Sequence, residues 1–259
     1  MKTKNWSYIL GGSSGIGLAC AKALATKGYN LFLVHRDGRI ATKSFLEQIE
    51  KLKTDTDVKI ITLNANTNTK EGIQQIKDTL LQLEAKSVKI FIHSVADGYV
   101  KPIFSGENSL NEEDFLYTIN SMGVSFVTWS QWLLKNNLFA ENAKIYGFTS
   151  EGSKRVIPHY AAVGTAKAVL ETLCRYMAVE LAPHNISVNL LCPGVVNTKA
   201  IRVFPEVENF LEKVIQKNPY KRLTSPEDIA NLIVALSNDN LSWLTGEIIH
   251  IDGGENNVF

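Results

Sequence analysis

The sequence predicts an α/β fold, a doubly wound parallel sheet with helices on both faces. Three observations carry this expectation. Short apolar runs alternate with helical patterns almost from end to end, glycines cluster directly after the first run, and no linker-like stretch divides the 259 residues. With 45% hydrophobic residues the chain can fill a sizeable core, so residues 1–259 are expected to form a single domain.

The elements follow in order. Ser7 to Leu10 is a short apolar strand stopped by glycines, and a helix from about Gly15 to Lys27 ends at Gly28. Leu31 to Val34 and Val58 to Leu63 read as the next strands. A helix from about Lys70 to Glu84 leads to a strand from Val88 to Ile92. Leu110 to Lys135 reads as one long helix, followed by a strand near Lys144 to Phe148. A helix from about Tyr160 to Leu181 closes at Pro183, and Ile186 to Leu191 and Ile248 to Ile251 are the last strands. Repeated strand–helix–strand order requires crossover connections, hence parallel pairing. Asn197 to Leu223 breaks the alternation, with helical pieces around Pro205 to Lys217. Lying where strands end, it is expected to close over a substrate as a lid, with Ile201, Phe204 and Phe210 as apolar contacts.

Composition narrows the function classes. Lys and Arg number 27 against 26 Asp and Glu, so no bulk field steers nucleic acid or a membrane surface, and neither is expected as a partner. No run approaches the roughly 18 apolar residues of a membrane span. Cys20, Cys174 and Cys192 are an odd, widely spaced set, expected as reduced, buried thiols in a cytoplasmic protein. His93, His159, His184 and His250 show no ligand spacing, and no metal is expected.

The chemistry begins at Gly11-Gly12-Ser13-Ser14-Gly15-Ile16-Gly17, between the first strand and the first helix. Gly11 and Gly15 let the backbone turn and approach a diphosphate closely, and Gly17 allows tight helix–strand packing. The helix N-terminus supplies N–H groups and the positive end of a dipole. A glycine cluster alone is often only a turn; its place after the first strand argues for a Rossmann-type dinucleotide site. Ser13, Ser14 and Ile16 share that loop. Past the second strand come His35, Arg36 and Asp37. A carboxylate at the strand end would bind ribose hydroxyls, whereas the guanidinium of Arg36 forks onto phosphate oxygens. Asp37, one residue further, could still meet a ribose.

The glycine pattern, Asn120, Ser150 to Lys167, Pro193-Gly194 and Ile251-Asp252-Gly253-Gly254 together resemble the short-chain dehydrogenase/reductase family over essentially the whole chain. The resemblance implies that Asn66 (with Ala65 before it) stands beside the adenine. It also implies that Pro193, Gly194, Val196 and Thr198 border the nicotinamide carboxamide and diphosphate. It further implies an NADP-selecting arginine at the position of Arg36, which makes NADPH the expected cofactor over NADH. The family's common signature is Tyr-x3-Lys. Lys167 is present, but four residues earlier stands Val163, and the phenol is Tyr160. Ser150 precedes Val163 by the family's usual 13 residues, so the tyrosine alone is displaced.

Tyr-x6-Lys is the arrangement of bacterial enoyl-acyl-carrier-protein reductases, and His93-Ser94-Val95-Ala96 resembles their sequence after this strand. On a helix Tyr160 would stand one turn, about 4.5 Å, beyond the usual place, suiting an oxygen more distant from the hydride acceptor. Lys167 would hold the nicotinamide ribose and lower the phenol's pKa. The overall likeness is to the NADPH-dependent type III group, which carries Arg where this chain has Ser14; the type I group has a second tyrosine where this chain has Ser150. By this resemblance Tyr160, Lys167, Ser150 and Asn120 are the catalytic set, though Ser150 and Asn120 fit a structural role as well. Ser94, Val95 and Ala96 join the cofactor-binding residues. The implied activity is NADPH-dependent reduction of an enoyl thioester, possibly on acyl carrier protein. Two alternatives stay open: a carbonyl or enone reductase of the same fold, and a non-catalytic NADP-binding sensor or scaffold. Apolar residues Phe126, Trp129, Trp132, Leu173, Tyr176 and Met177 on the two long helices predict a homotetramer.

Overall fold

The computed structural model describes residues 5–83, 87–203 and 207–258. Its strands are β1 (Trp6–Leu10), β2 (Asn30–His35), β3 (Ile60–Asn64), β4 (Val88–His93), β5 (Phe139–Phe148), β6 (Ser187–Pro193) and β7 (Ile248–Ile251). The helices are α1 (Gly15–Thr26), α2 (Arg39–Asp55), α3 (Lys70–Gln82), α4 (Glu112–Ile119), α5 (Ser125–Lys135), α6 (Ala161–Leu181), α7 (Val207–Lys217) and α8 (Pro226–Leu236). All seven strands pair in parallel in the order β3-β2-β1-β4-β5-β6-β7. This is the predicted fold class, Rossmann-type. The winding reverses between β1 and β4, which opens a crevice at their carboxyl ends.

Alternate side chains of the central strands enter two cores. Tyr8, Phe32, Phe91, Ile145 and Val188 pack with α3, α5 and α6 through Ile76, Phe126, Trp129, Leu170 and Met177. Ile9, Leu31, Leu33, Ile90, Ile92 and Tyr146 pack with α1, α2 and α8 through Leu24, Phe45, Ile49 and Ile233. Covering both faces explains why β1, β2 and β4 are buried at every position.

Several expectations need correction. The helix expected from Leu110 to Lys135 is three pieces. Asn111 and Asp114 form a capping box that starts α4 at Glu112. A π turn at Asn120–Val124 then separates α4 from α5. Ser125 Oγ donates to Ser121 O at 2.6 Å and lies 2.7 Å from His93 Nε2. With the hydroxyl proton committed to that carbonyl, the imidazole is the donor, and the π turn is tied to the end of β4. Tyr160 lies outside α6 as its N-cap, with φ −97° and ψ 7°, so its side chain does not project as a helical residue's would. Helices α2 and α8 go beyond the expectation. Phe45, Ile49 and Leu52 supply a buried stripe in the otherwise polar α2, and Ser225, Pro226 and Asp228 cap α8. The helix expected to reach Glu84 ends at Gln82; Glu84, like Phe204 and Pro205 of the expected lid, lies outside the described residues.

Candidate active site and dinucleotide cleft

At the reversal point the glycines bring two loops into contact. A Cβ on Gly11 (φ +81°) would stand 2.3 Å from Ser94 O, and one on Gly17 would stand 2.1 Å from Gly11 O. The loop after β1 is thus pressed against both β4's exit and its own helix. Ser94 N donates to Leu10 O, fixing that contact. A Cβ on Gly15 would stand 3.1 Å from Thr198 Cγ2 in the loop after β6, so the expected diphosphate residues from both loops lie close together. Ser14 caps α1 in extended conformation without a side-chain hydrogen bond, and the first turn holds no acidic residue. Its N–H groups and positive dipole end fit a diphosphate, as does the glycine cradle that side chains would fill.

The adenosine end departs from expectation. His35 is buried, its Nδ1 3.0 Å from Asp37 and its ring against Phe45, so neither His35 nor Asp37 faces the cleft freely. Burial holds the imidazole pKa below its usual value, against the pull of Asp37. Ala65 is buried and donates to His35 O. Asn66 turns its Oδ1 to Asn68 N at 3.0 Å. Val95 packs against the core while Ala96 is exposed. Arg36 is exposed but forks onto Asp97, at 2.9 and 3.2 Å. Asp97, Asn68 and Tyr117, which complete this network, were not among the expected residues; the one signal was that Asp97 directly follows Ala96.

At the other end the sequence-predicted Ser150 and Tyr160 share a hydrogen bond of 3.3 Å. Gly152 makes this possible, because a Cβ there would stand 2.4 Å from the Tyr160 ring. Thr149 and Ser153 flank the serine loop, and both hydroxyls donate to the buried Glu171 Oε1, at 2.6 and 2.7 Å. Glu171, like Asp97, Asn68 and Tyr117, was not among the expected residues. Val163, at the family's usual tyrosine position, is buried with Met122, Ala166 and Tyr160.

Lys167 is buried and donates to Phe148 O at 2.7 Å. Burial pushes its pKa down to about 8, against a smaller opposing effect of Cys192. The Tyr160 phenol is pushed up by burial, with Ser150 pulling down. The expected lowering by Lys167 is not found: burial sets the direction, and the downward pull comes from Ser150 rather than from Lys167. His93 is held neutral, at about 3, by burial and then by the Lys167 charge. Asn120 opens the π turn with its side chain exposed, and that turn packs on α6 through Gly123 and Ala166. Gly194 is enclosed by Thr224, Asp252 and Glu255, and the Val195 N–H donates to Glu255. Pro193 and the buried Val196 continue this turn toward Thr198, whose N–H donates to Val196 O. Of the expected lid, Ile201 lies in a short 3-10 turn and Phe210 is half-buried on α7. The three cysteines are free and buried, as expected.

Comparison with known proteins agrees with this geometry. A family model described as enoyl-(acyl carrier protein) reductase matches residues 11–256. A 1-cyclohexenylcarbonyl-CoA reductase of Streptomyces collinus is 27% identical over 96% of this chain and 85% of its own. A 3-oxoacyl-[acyl-carrier-protein] reductase of Aquifex aeolicus is also 27% identical, over 96% of each chain. The solved structure of an enoyl-[acyl-carrier-protein] reductase (NADH) from the same organism superposes with a TM-score of 0.79 at 23% identity, covering 97% of both chains. Among the described residues, no helix is long and apolar enough to cross a membrane.

Proposed function

The chain belongs to the short-chain dehydrogenase/reductase family of nicotinamide-dependent oxidoreductases, and from that premise we propose that it reduces the carbon–carbon double bond of an enoyl thioester with NADPH. The observation that carries this reading is the phenol beside Ser150: it belongs to Tyr160, seven positions before Lys167, while Val163 fills the usual place with a buried apolar side chain. The 1-cyclohexenylcarbonyl thioester in one relative's name is itself an alkene conjugated to a thioester.

The glycine loop, the N-terminus of α1 and Thr198 would hold a reduced nicotinamide cofactor, which would supply a hydride for the β-carbon of such a substrate. Negative charge then collects on the thioester oxygen, and the Tyr160 hydroxyl is the proton donor for that oxygen. A phenol pushed up by burial stays protonated at neutral pH, as a donor must. Lys167 contributes its positive charge and a ribose-directed ammonium, with Phe148 O fixing its direction. Ser150 orients the phenol through their shared hydrogen bond. The enol so formed takes a proton from solvent at the α-carbon and releases its O–H proton as the thioester carbonyl re-forms, so the net addition is one hydride and one proton.

NADPH over NADH rests on Arg36, the exposed guanidinium past β2. Residues 1–259 act as one catalytic domain in a cytoplasmic homotetramer, with Asn197 to Leu223 as the lid. A second reading, reduction of a ketone, is favoured by one contact: Ser150 and Tyr160 together can polarise a carbonyl directly. Oxidation of NADPH with crotonyl thioester beside acetoacetyl thioester separates the two. Turnover of the crotonyl substrate alone supports the enoyl reading; turnover of the acetoacetyl substrate alone overturns it.

A further inference from the structure

One cluster in the molecule has a designed look that neither the proton relay nor the glycine loop uses. Arg36 Nη1 and Nη2 donate to both carboxylate oxygens of Asp97, at 2.9 and 3.2 Å. The same Asp97 Oδ2 also accepts from Asn68 Nδ2 at 2.8 Å and from the Tyr117 hydroxyl at 2.6 Å. Asn68 in turn reaches Ser121 Oγ at 2.9 Å. The partners come from the loops after β2, β3 and β4 and from α4. Because β2 and β4 flank β1 in the sheet, the ion pair links the two loops on either side of the glycine turn.

The two ends of this pair are held unequally. Asp97 has three donors and a side chain only 24% exposed, whereas the Arg36 side chain is 55% exposed and, beyond Asp97, interacts only more weakly with the Tyr117 hydroxyl. When the pair opens, Asp97 keeps two donors and Arg36 is free to turn. The carboxylate is the fixed end and the guanidinium the exchangeable arm.

A cofactor carrying a 2′-phosphate must take the guanidinium from Asp97 and bring a dianion near a carboxylate that stays behind. A cofactor with a free 2′-hydroxyl needs no such exchange. Resting on the reading that Arg36 is the 2′-phosphate contact, we propose that Asp97 is the specificity-determining residue of the cofactor site. By holding Arg36 it penalises the phosphorylated cofactor and narrows the preference for NADPH.

The test is a calorimetric titration of the whole protein with 2′,5′-ADP and with ADP, which reads the adenosine half of the site without any turnover. Asp97→Asn, Arg36→Ala and their double variant complete a cycle, with Asp97→Ser as a second way to remove the charge should Asp97→Asn misfold. Asp97→Asn should tighten 2′,5′-ADP about five-fold, the scale of one partly exposed ion pair, and leave ADP within about two-fold. In the Arg36→Ala background the gain should shrink to the smaller part that direct repulsion between Asp97 and the phosphate contributes. An unchanged or weaker Kd for 2′,5′-ADP in both Asp97 variants overturns the proposal, and so does the same gain with Arg36 absent, which would mean direct repulsion only. If Arg36→Ala has no effect even in the Asp97→Asn background, the 2′-phosphate contact itself is wrong. If Arg36→Ala still weakens 2′,5′-ADP while Asp97→Asn does nothing, only the role of Asp97 falls.

Discussion

Tyr160 and Lys167 divide the work of the site in a way that substitutions can separate. The Tyr160 hydroxyl shares a hydrogen bond with Ser150 and is proposed to serve only the proton, so Tyr160→Phe should cut kcat about 100-fold or more, the scale of a lost general acid, with cofactor Kd unchanged. Lys167→Ala should harm both, since Lys167 is proposed to hold the nicotinamide ribose as well. Steady-state kinetics with direct cofactor titration tests the split, and full activity of Tyr160→Phe on every thioester tried would remove the phenol from the mechanism. Acidity gives a second handle. Lys167 is cationic below about pH 8 and loses its charge above it, while the phenol, pushed upward, keeps its proton through that range. Activity should therefore fall as pH rises through about 8. Lys167→Arg, whose guanidinium stays charged, should lose this alkaline limb even if its rate is lower. A wild-type profile flat to about pH 9.5 would show that the lysine charge is not needed.

At the scale of elements, the glycines determine how loops seat on helices. Gly72 lies in the first turn of α3, where alanine would ordinarily gain up to about 1 kcal/mol of helix propensity. Here a Cβ would stand 2.1 Å from Asn66 O and 2.8 Å from Asn66 N, both backbone atoms that cannot swing aside. Gly72→Ala should instead destabilise by about 2 kcal/mol, lowering Tm by roughly 4–8 °C. Asn66 also holds the Asn68 backbone, so the same variant should loosen the Asp97 network. Thermal melts followed by circular dichroism decide the matter: an alanine variant as stable as the wild type contradicts the close approach. The π turn is a second element-scale feature. Ser125 ties it to Ser121 and His93, and the neutral histidine makes that tie insensitive to pH across the neutral range.

For the whole molecule, burial revises which residues could hold copies together. Phe126, Trp129 and Met177 are buried within the chain's own core, and Trp132 and Leu173 are half-buried. They pack this fold rather than an interface. Tyr176 and Val179, 66% and 75% exposed and three residues apart on α6, form the apolar stripe left over, with Leu116 of α4 also exposed. The proposed homotetramer should therefore depend on Tyr176 and Val179. Light scattering at micromolar concentration should give four times the chain mass, and Tyr176→Glu with Val179→Glu should give a smaller species that still melts cooperatively. A monomeric wild type would count against the assembly.

The sequence alone was enough to determine the alternating strands and helices and the glycine turn, and it singled out Ser150 and Tyr160, which the fold brings into one hydrogen bond. These are signals written in neighbouring residues: runs of apolar side chains, a spacing of glycines, an offset along one segment. The tertiary structure decided where side chains with more than one available direction go. His35 and Arg36 are adjacent in the chain, yet one is buried against Phe45 and Asp37 while the other reaches Asp97, 61 positions away. Tyr160 looked like the first residue of a helical face, but it folds over Gly152 to meet Ser150, because the absence of a Cβ there leaves room for the ring. The long helix was read as continuous because its apolar pattern is continuous; the break comes from a hydroxyl committed to a carbonyl and to a histidine on another strand. Local periodicity fixes which face of an element is buried. Pairing between loops depends on which strands the winding makes neighbours, and no window of sequence contains that information.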